Sequence, residues 1–305
     1  MYYKNLDELF ASLQHGSTRK RFAIAAAEDE HSLDAAIQAQ DAGTAHPVLI
    51  GDETVIRETL AQMGRDGADF EIINETGGIE ACAQKSIDLA NQGHVDFILK
   101  GMMDTSVILK AAFRRENRFL RGGLVSSTAF MELSGYHKLI CLTDGAINMY
   151  PDLEQKKQIL LNAVDTCRRI GIDCPKVAVL CAIEKCNLKM PETMDAAKLK
   201  EMNLNGEIKN CIVEGPISFD IAMNKEAARI KGFDSPVAGD ADILLMPDIV
   251  SCNISAKALS FIGQVRSAVI VAGLKVPLII TSRSSPAQDK YLSIMLAASG
   301  DWRSE

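Results

Sequence analysis

The chain has 305 residues, 47% of them hydrophobic and 24% charged, with a formal net charge of −7. That balance is ordinary for a globular protein of one large or two medium domains. It argues against a nucleic-acid binder, yet leaves room for a local basic pocket that takes a phosphorylated small molecule. No apolar run approaches the length of a membrane span, and Met1-Tyr2-Tyr3-Lys4-Asn5-Leu6-Asp7-Glu8 lacks the apolar core of a signal peptide, so a cytoplasmic protein with no membrane partner is expected.

Taken in order, Asn5–Gln14 predicts a short amphipathic helix and Arg21–Ala27 a strand that runs into the acidic helix start Glu28-Asp29-Glu30. Strands at Pro47–Ile50, Phe70–Ile73 and Val95–Leu99 alternate with helices over Glu53–Met63 and Ile79–Asn91. Such alternation means βαβ units and a parallel sheet covered on both faces. Leu124–Glu132 and Lys138–Leu142 predict a hairpin that closes the first sheet. A second series follows: a long helix from Leu153, a strand from Lys176, a helix from Pro191, a short strand at Cys211–Val213, then Ala241–Met246 and a helix near Asn253. Arg266–Ala272 and Val276–Ile280 are expected to finish the second sheet. The domains expected are 1–142, completed by the C-terminal helix 286–305, and 143–285.

Ligands of open α/β sheets bind beyond the carboxyl ends of the strands, so the loops at those ends carry the candidate site. Lys100 is a phosphate partner, Gly101 permits close backbone approach, and Asp104 suits the N-cap of a helix opened by Thr105. Lys110 opens a basic cluster that continues through Arg114, Arg115, Arg118 and Arg121. Thr143 and Asp144 stand at a second strand end, Gly215 and Pro216 at a third, and Ser126 completes the substrate-binding set. The last strand breaks into Thr281-Ser282-Arg283-Ser284-Ser285-Pro286-Ala287-Gln288-Asp289. There Ser285 can act as N-cap, Pro286 as first helical residue and Gln288 as the far side of a capping box. Ser284, Ser285 and the helix-start N–H groups can hold an anion.

The eight cysteines form no Cys-x-x-Cys pair and several sit in apolar runs, as core thiols do. Cys181 and Cys252 have no neighbouring base that would make them nucleophiles. Histidines are scattered, and no metal site is expected. Asp240, Asp242 and Asp248 can pose as metal ligands, but Asp240 and Asp242 alternate at a strand start, where capping and turn roles are commoner. Met102, Met103, Phe130, Met149 and Met190 lie near strand ends and either line an acyl pocket or fill the core. No Walker loop or dinucleotide fingerprint occurs.

Several blocks together resemble one family: Lys100-Gly101-x-x-Asp104-Thr105, Leu142-Thr143-Asp144, Lys189-Met190-Pro191-x-Thr193, Glu214-Gly215-Pro216, Ser235-Pro236-Val237-Ala238-Gly239-Asp240-Ala241-Asp242 and Thr281-Ser282-Arg283. The chain is similar to phosphate acetyl/butyryltransferases, most of all to the butyryltransferase branch. The resemblance implies two αβα domains of the isocitrate/isopropylmalate-dehydrogenase type with the active site in the interdomain cleft, and a homodimer or higher homo-oligomer. It implies the reaction acyl-CoA + phosphate ⇌ acyl phosphate + coenzyme A, with coenzyme A and phosphate as substrates and no bound cofactor. The relatives' Ser-Arg pair, and the Asp seven residues after that Ser, match Ser282, Arg283 and Asp289; Lys110 stands near a family arginine, a point charge in place of a bidentate fork.

Written from the acyl phosphate side, the thiol of coenzyme A loses a proton, attacks the carbonyl, and phosphate leaves. Asp289 is the expected base, Ser282 the oxyanion donor and Arg283 the phosphate clamp. An ordinary Asp and an ordinary thiol differ enough that full proton transfer would cost roughly 6 kcal/mol. Either the site raises the carboxyl or the proton moves in concert with attack. Competing readings are an acetyl, propionyl or branched-chain phosphotransacylase, a metal-dependent dehydrogenase of similar fold, and a coenzyme A-binding module without activity.

Overall fold

The structure is a computed structural model that describes residues 2–13, 19–281 and 286–302. In chain order the elements begin with α1 (Leu6–Leu13), β1 (Lys20–Ala25), α2 (Glu30–Asp41), β2 (Ala45–Gly51), α3 (Glu53–Gln62), β3 (Glu71–Asn74), α4 (Ile79–Asn91), β4 (Phe97–Lys100) and α5 (Thr105–Phe113). There follow β5 (Ser126–Glu132), β6 (Ile140–Thr143), α6 (Leu153–Arg169), β7 (Lys176–Leu180), α7 (Pro191–Leu204), β8 (Ile212–Ile217), α8 (Phe219–Met223) and α9 (Lys225–Ile230). The chain ends with β9 (Ile243–Leu245), α10 (Ile249–Gly263), β10 (Arg266–Ala272), β11 (Leu278–Ile279) and α11 (Ala287–Ser299). The fold is α/β with largely parallel strands, as expected. Among the described residues no helix is long and apolar enough to cross a membrane.

Two compact units make up the chain: Phe10–Gly122 with Ala268–Glu305, and Met1–Leu9 with Gly123–Ser267. In the first, the strand order is β3-β2-β1-β4-β11-β10, parallel except for β10, which runs antiparallel to β11. In the second, the order is β5-β6-β9-β7-β8, parallel except for the β5–β6 hairpin. The central strands β1 and β4 are buried almost throughout, the unbroken apolar pattern of strands covered on both faces. Phe22 of β1 and Phe97 of β4 stack with ring centroids 5.0 Å apart in the first core.

Two expectations about strand membership are corrected here. The hairpin forms as read, but β6 pairs with β9, so β5 and β6 belong to the second unit and the division falls after Gly122 rather than after residue 142. The last strand, β11, does not finish the second sheet. β11 pairs in parallel with β4, Leu278 beside Ile98 and Ile279 beside Leu99, which places its exit in the first unit. Periodicity gives the strand but not its partner, because pairing is decided by contacts far apart in sequence.

Helix starts follow the expected chemistry. Asp29 caps α2 by accepting from the Ser32 N–H, Asp52 caps α3, Asp248 caps α10, and Asp152 with Gln155 forms a reciprocal capping box on α6. At α11 the expectation shifts by one residue. Pro286 is the N-cap, with extended backbone and no capping side-chain hydrogen bond, and the helix begins at Ala287. Proline suits this place, since a residue before the first helical turn needs no N–H partner. Ser285, expected as the cap, lies outside the described residues, as do Ser282, Arg283 and Ser284.

Candidate active site

Register sets the geometry of the first unit's strand exits. Ala25 sits beside Ile50 on one flank and Lys100 on the other, and β11 continues the row, so β1, β2, β4 and β11 end at one level. The backbone crosses tightly there: Gly101 and Met102 donate to the carbonyls of Ala25 and Ala26 at 2.9 and 2.8 Å. A Cβ at position 101 would overlap the Ala26 carbonyl oxygen and lie 2.8 Å from that of Ala25. The close approach read from the sequence at Gly101 is thus an approach of strand β1. Lys100 is buried, and its ammonium donates to the carbonyls of Met103 at 2.9 Å and Gly101 at 3.2 Å. It braces the loop that follows it.

Asp104 is the N-cap of α5 but makes no capping side-chain hydrogen bond, and Thr105 is the first helical residue, half-buried. Lys110 is exposed in the last turn of α5, about 9 Å along the helix from Asp104 at the usual rise per residue. The helix therefore carries it away from the loop that holds Lys100 and Gly101. Arg114 bonds Gln84 at 3.1 Å, and Arg121 donates to the carbonyl of Trp302. These two members of the basic cluster bind neighbouring structure.

Asp289 lies in the first turn of α11, half-buried. The residue after it is the one the sequence reading passed over. Lys290 is only 3% exposed, and among the described residues the sole hydrogen-bond acceptor of its ammonium is Thr281 Oγ1 at 3.4 Å. Desolvation pushes its pKa down, opposed by the charge of Asp29. A signal existed in the sequence. Lys290, Ser293, Ile294 and Ala297 fall at i, i+3, i+4 and i+7, one buried stripe of α11, and a lysine heading such a stripe is out of place.

The second unit's exits are built differently. Asp144 is 3% exposed, and its oxygens accept from the Ser127 N–H (3.1 Å) and hydroxyl, from the N–H groups of Ala146 (3.1 Å), Ile147 (3.3 Å) and Asn148 (3.0 Å), and from Asn148 Nδ2 (2.6 Å). Thr143 donates its hydroxyl to the Ser127 carbonyl at 2.7 Å, and buried Ser126 accepts from Asn162 Nδ2 at 3.0 Å. These three candidate substrate residues are engaged in shaping the loop after β6. Gly215 lies where a Cβ would come within 2.9 Å of Val179 Cβ, and it joins buried Pro216 through a cis peptide bond. Beside them Glu184 accepts from the Ser218 hydroxyl and from Lys231 at 3.0 Å. Those bonds, from Ser218 first, hold its carboxyl below the ordinary range.

Asp240 and Asp242 are held in ion pairs. Asp242 pairs with buried Lys138 at 2.7 Å, and Asp240 with Lys138 at 3.0 Å, His137 at 2.9 Å and Lys176. This network ties the amino-terminal ends of β6, β7 and β9, the opposite end of the sheet from the loops above. Asp248, the third carboxylate, caps α10. Cys181 and Cys252 are buried; burial pushes the Cys181 thiol up to about 12 and the Cys252 thiol higher still, against any role as nucleophile. Met103 and Phe130 are core residues, Met190 is half-buried, and Met102 and Met149 are exposed.

Comparison with known proteins places the chain in a family. Residues 57–298 match the family described as phosphate acetyl/butaryl transferase. The chain is 38% identical to a phosphate butyryltransferase of Clostridium acetobutylicum over 295 residues, 97% of each chain. It is 36% identical to a phosphate acetyltransferase of Thermotoga maritima over 279 residues, 92% of this chain and 94% of that one. Among solved structures, a branched-chain phosphotransacylase from Enterococcus faecalis superimposes with a TM-score of 0.81 at 28% identity, covering 91% of this chain and 97% of the other. The chain belongs to the phosphate acetyl/butyryl transferase family and is a phosphate acyltransferase.

Proposed function

We propose that this acyltransferase carries butanoyl groups: butanoyl-CoA + phosphate ⇌ butanoyl phosphate + coenzyme A, by direct attack of the thiol on the acyl phosphate, with neither a metal ion nor a covalent enzyme intermediate. The observation that carries the chain-length choice is the match to the Clostridium acetobutylicum butyryltransferase along 97% of both chains. Asp289 takes the thiol proton, Ser282 stabilises the oxyanion and Arg283 holds the phosphate. High thiol pKa values at Cys181 and Cys252 favour the direct route over an acyl-cysteine.

Phosphate-dependent thiol release, measured over acetyl-, propanoyl-, butanoyl- and 3-methylbutanoyl-CoA, tests the reading. The expected order puts butanoyl-CoA highest in kcat/KM, by tenfold or more over acetyl-CoA. Tenfold is the lower bound, since two methylenes in a fitted pocket, at about 1–3 kcal/mol for one, would give roughly thirtyfold or more. A preference for acetyl-CoA would overturn it. The likeness to the Enterococcus faecalis enzyme favours a second reading, a branched-chain phosphotransacylase, which the 3-methylbutanoyl arm decides. Activity lost to a chelator would count against the metal-free route. Asp289→Asn should lower kcat more than tenfold at unchanged KM, and Arg283→Ala should chiefly raise the phosphate KM.

The same reading includes a homodimer or higher homo-oligomer. Helix α10 supports it: apart from Lys257 it carries no charge, and its apolar residues Val250, Ile254, Phe261 (72% exposed) and Ile262 (85% exposed) lie on the surface. Light scattering of Phe261→Asp/Ile262→Asp should return the monomer mass.

A further inference from the structure

Lys290 stands at the level where β1, β4 and β11 end, within one compact unit, and its surroundings are short of partners on both sides. A buried lysine is ordinarily paired with a carboxylate. Here the ammonium reaches only a neutral hydroxyl, Thr281 Oγ1, at 3.4 Å among the described residues. The carboxylate whose charge it feels, Asp29, makes no hydrogen bond to it. Asp29 Oδ1 accepts from the Ser32 N–H at 2.9 Å, while Oδ2 is buried and has no partner among the described residues. A buried cation with a long neutral contact and a buried carboxylate oxygen left over mark a place completed by a third group. Two helix starts bear on it. Lys290 lies in the first turns of α11, and Asp29 is the N-cap of α2, so both add positive potential to that of the ammonium. The third group is therefore an oxyanion that also bears a proton, or one oxyanion oxygen with a bridging water. A phosphate monoanion or dianion fits, since it offers several acceptor oxygens to Lys290 and a P–OH or water-borne proton to Asp29 Oδ2.

We propose that Lys290 is a substrate-contacting residue that binds an oxygen of inorganic phosphate, with Asp29 limiting how tightly that phosphate is held. The assignment rests on the phosphoryl-dependent reaction proposed above and adds a cation to Arg283. Coenzyme A also carries phosphate groups, so the two sources are separated kinetically.

Lys290→Met should raise the phosphate KM roughly ten- to hundredfold, the usual size of a charge-assisted hydrogen bond, and leave the KM for acyl-CoA within about twofold. Asp29→Asn, which keeps an N-cap on α2, should lower the phosphate KM severalfold. A purely structural role predicts no such opposite pair. An unchanged phosphate KM in Lys290→Met, or a risen one in Asp29→Asn, overturns the assignment. A rise confined to the coenzyme A KM overturns it in favour of a coenzyme A phosphate. If Lys290→Met fails to fold, Asp29→Asn decides alone, by the sign of its effect. The thermal upshift given to the wild-type protein by inorganic phosphate should also be lost in Lys290→Met. Wild-type protein that shows that upshift but no phosphate-dependent thiol release would sink the acyl-transfer reading, and the upshift in the variant would then judge Lys290 by itself.

Discussion

Asp144 and Asp29 are both aspartates at the exits of parallel strands, and they are built in opposite ways. Around Asp144 the loop wraps so that each oxygen collects backbone and side-chain donors, from Ser127, Ala146, Ile147 and Asn148. Around Asp29 one oxygen caps a helix and the other is buried with no partner among the described residues, in the field of an equally under-bonded Lys290. The first arrangement holds a loop in one conformation. The second keeps electrostatic capacity in reserve for something that arrives. Polar residues at strand ends thus fall into two kinds, and satisfaction of their hydrogen bonds separates them better than burial does.

The contrast can be broken most sharply at Asp144. Replacing it by Ala strips a buried anion from all its donors at once, and should cost about 3–5 kcal/mol in urea unfolding. By contrast Lys290→Met should move the phosphate KM far more than the unfolding midpoint. Gly101→Ala comes next. Its Cβ would press on the β1 carbonyls rather than on a yielding side chain, so about 1–3 kcal/mol should be lost together with activity, as the loop after Lys100 shifts.

A smaller effect is expected at the far end of the second sheet. Burial opposes ionisation of Asp240, but hydrogen bonds from Lys176, Lys138 and His137 outweigh it and hold the carboxyl well below its ordinary value of 3.8. A depressed carboxylate pKa stabilises the fold above the unfolded value and ceases to do so as pH falls through the folded one. Stability should therefore drop as pH falls below about 4. Asp240→Asn should flatten that slope in acid titrations followed by circular dichroism, at a cost of about 1–2 kcal/mol at pH 7. Smallest of all is Lys200→Met. Its bond to Glu214 at 2.6 Å comes from a half-buried side chain, and Glu214 keeps the Gly215 N–H as a donor, so about 1 kcal/mol should change.

Much of this molecule was legible in the sequence. The βα rhythm, the N-cap position of Asp104, and the hairpin of β5 and β6 all follow from local patterns. The loops after Lys100 and Thr143 stand at strand ends as expected, because apolar runs that stop at a Gly or Asp mark those ends without any knowledge of the fold, whereas Gly215 and Pro216, expected in a loop after a strand ending at Val213, lie inside β8. Roles within the loops were harder to read. Nothing in Leu142-Thr143-Asp144 says that Ser127 of the neighbouring strand and Asn148 downstream will satisfy the carboxylate. Nor does the spacing at Lys110 announce that one helix length will carry it from Gly101. Lys290 was visible as a charge at the head of a buried stripe, yet it was overshadowed by Asp289 beside it.

By itself, then, the sequence determined the strands, the helices that cover them, and which strand ends carry polar loops, since hydrophobic period, caps and turn residues act over a few residues. Tertiary structure decided which sheet the last strand joins. β11 runs beside β4, so the exit that leads to Ser282 and Asp289 stands level with Lys100 and Asp29. Pairing partners, register and the satisfaction of a buried charge depend on residues a hundred or more positions away, and only the folded chain brings them together.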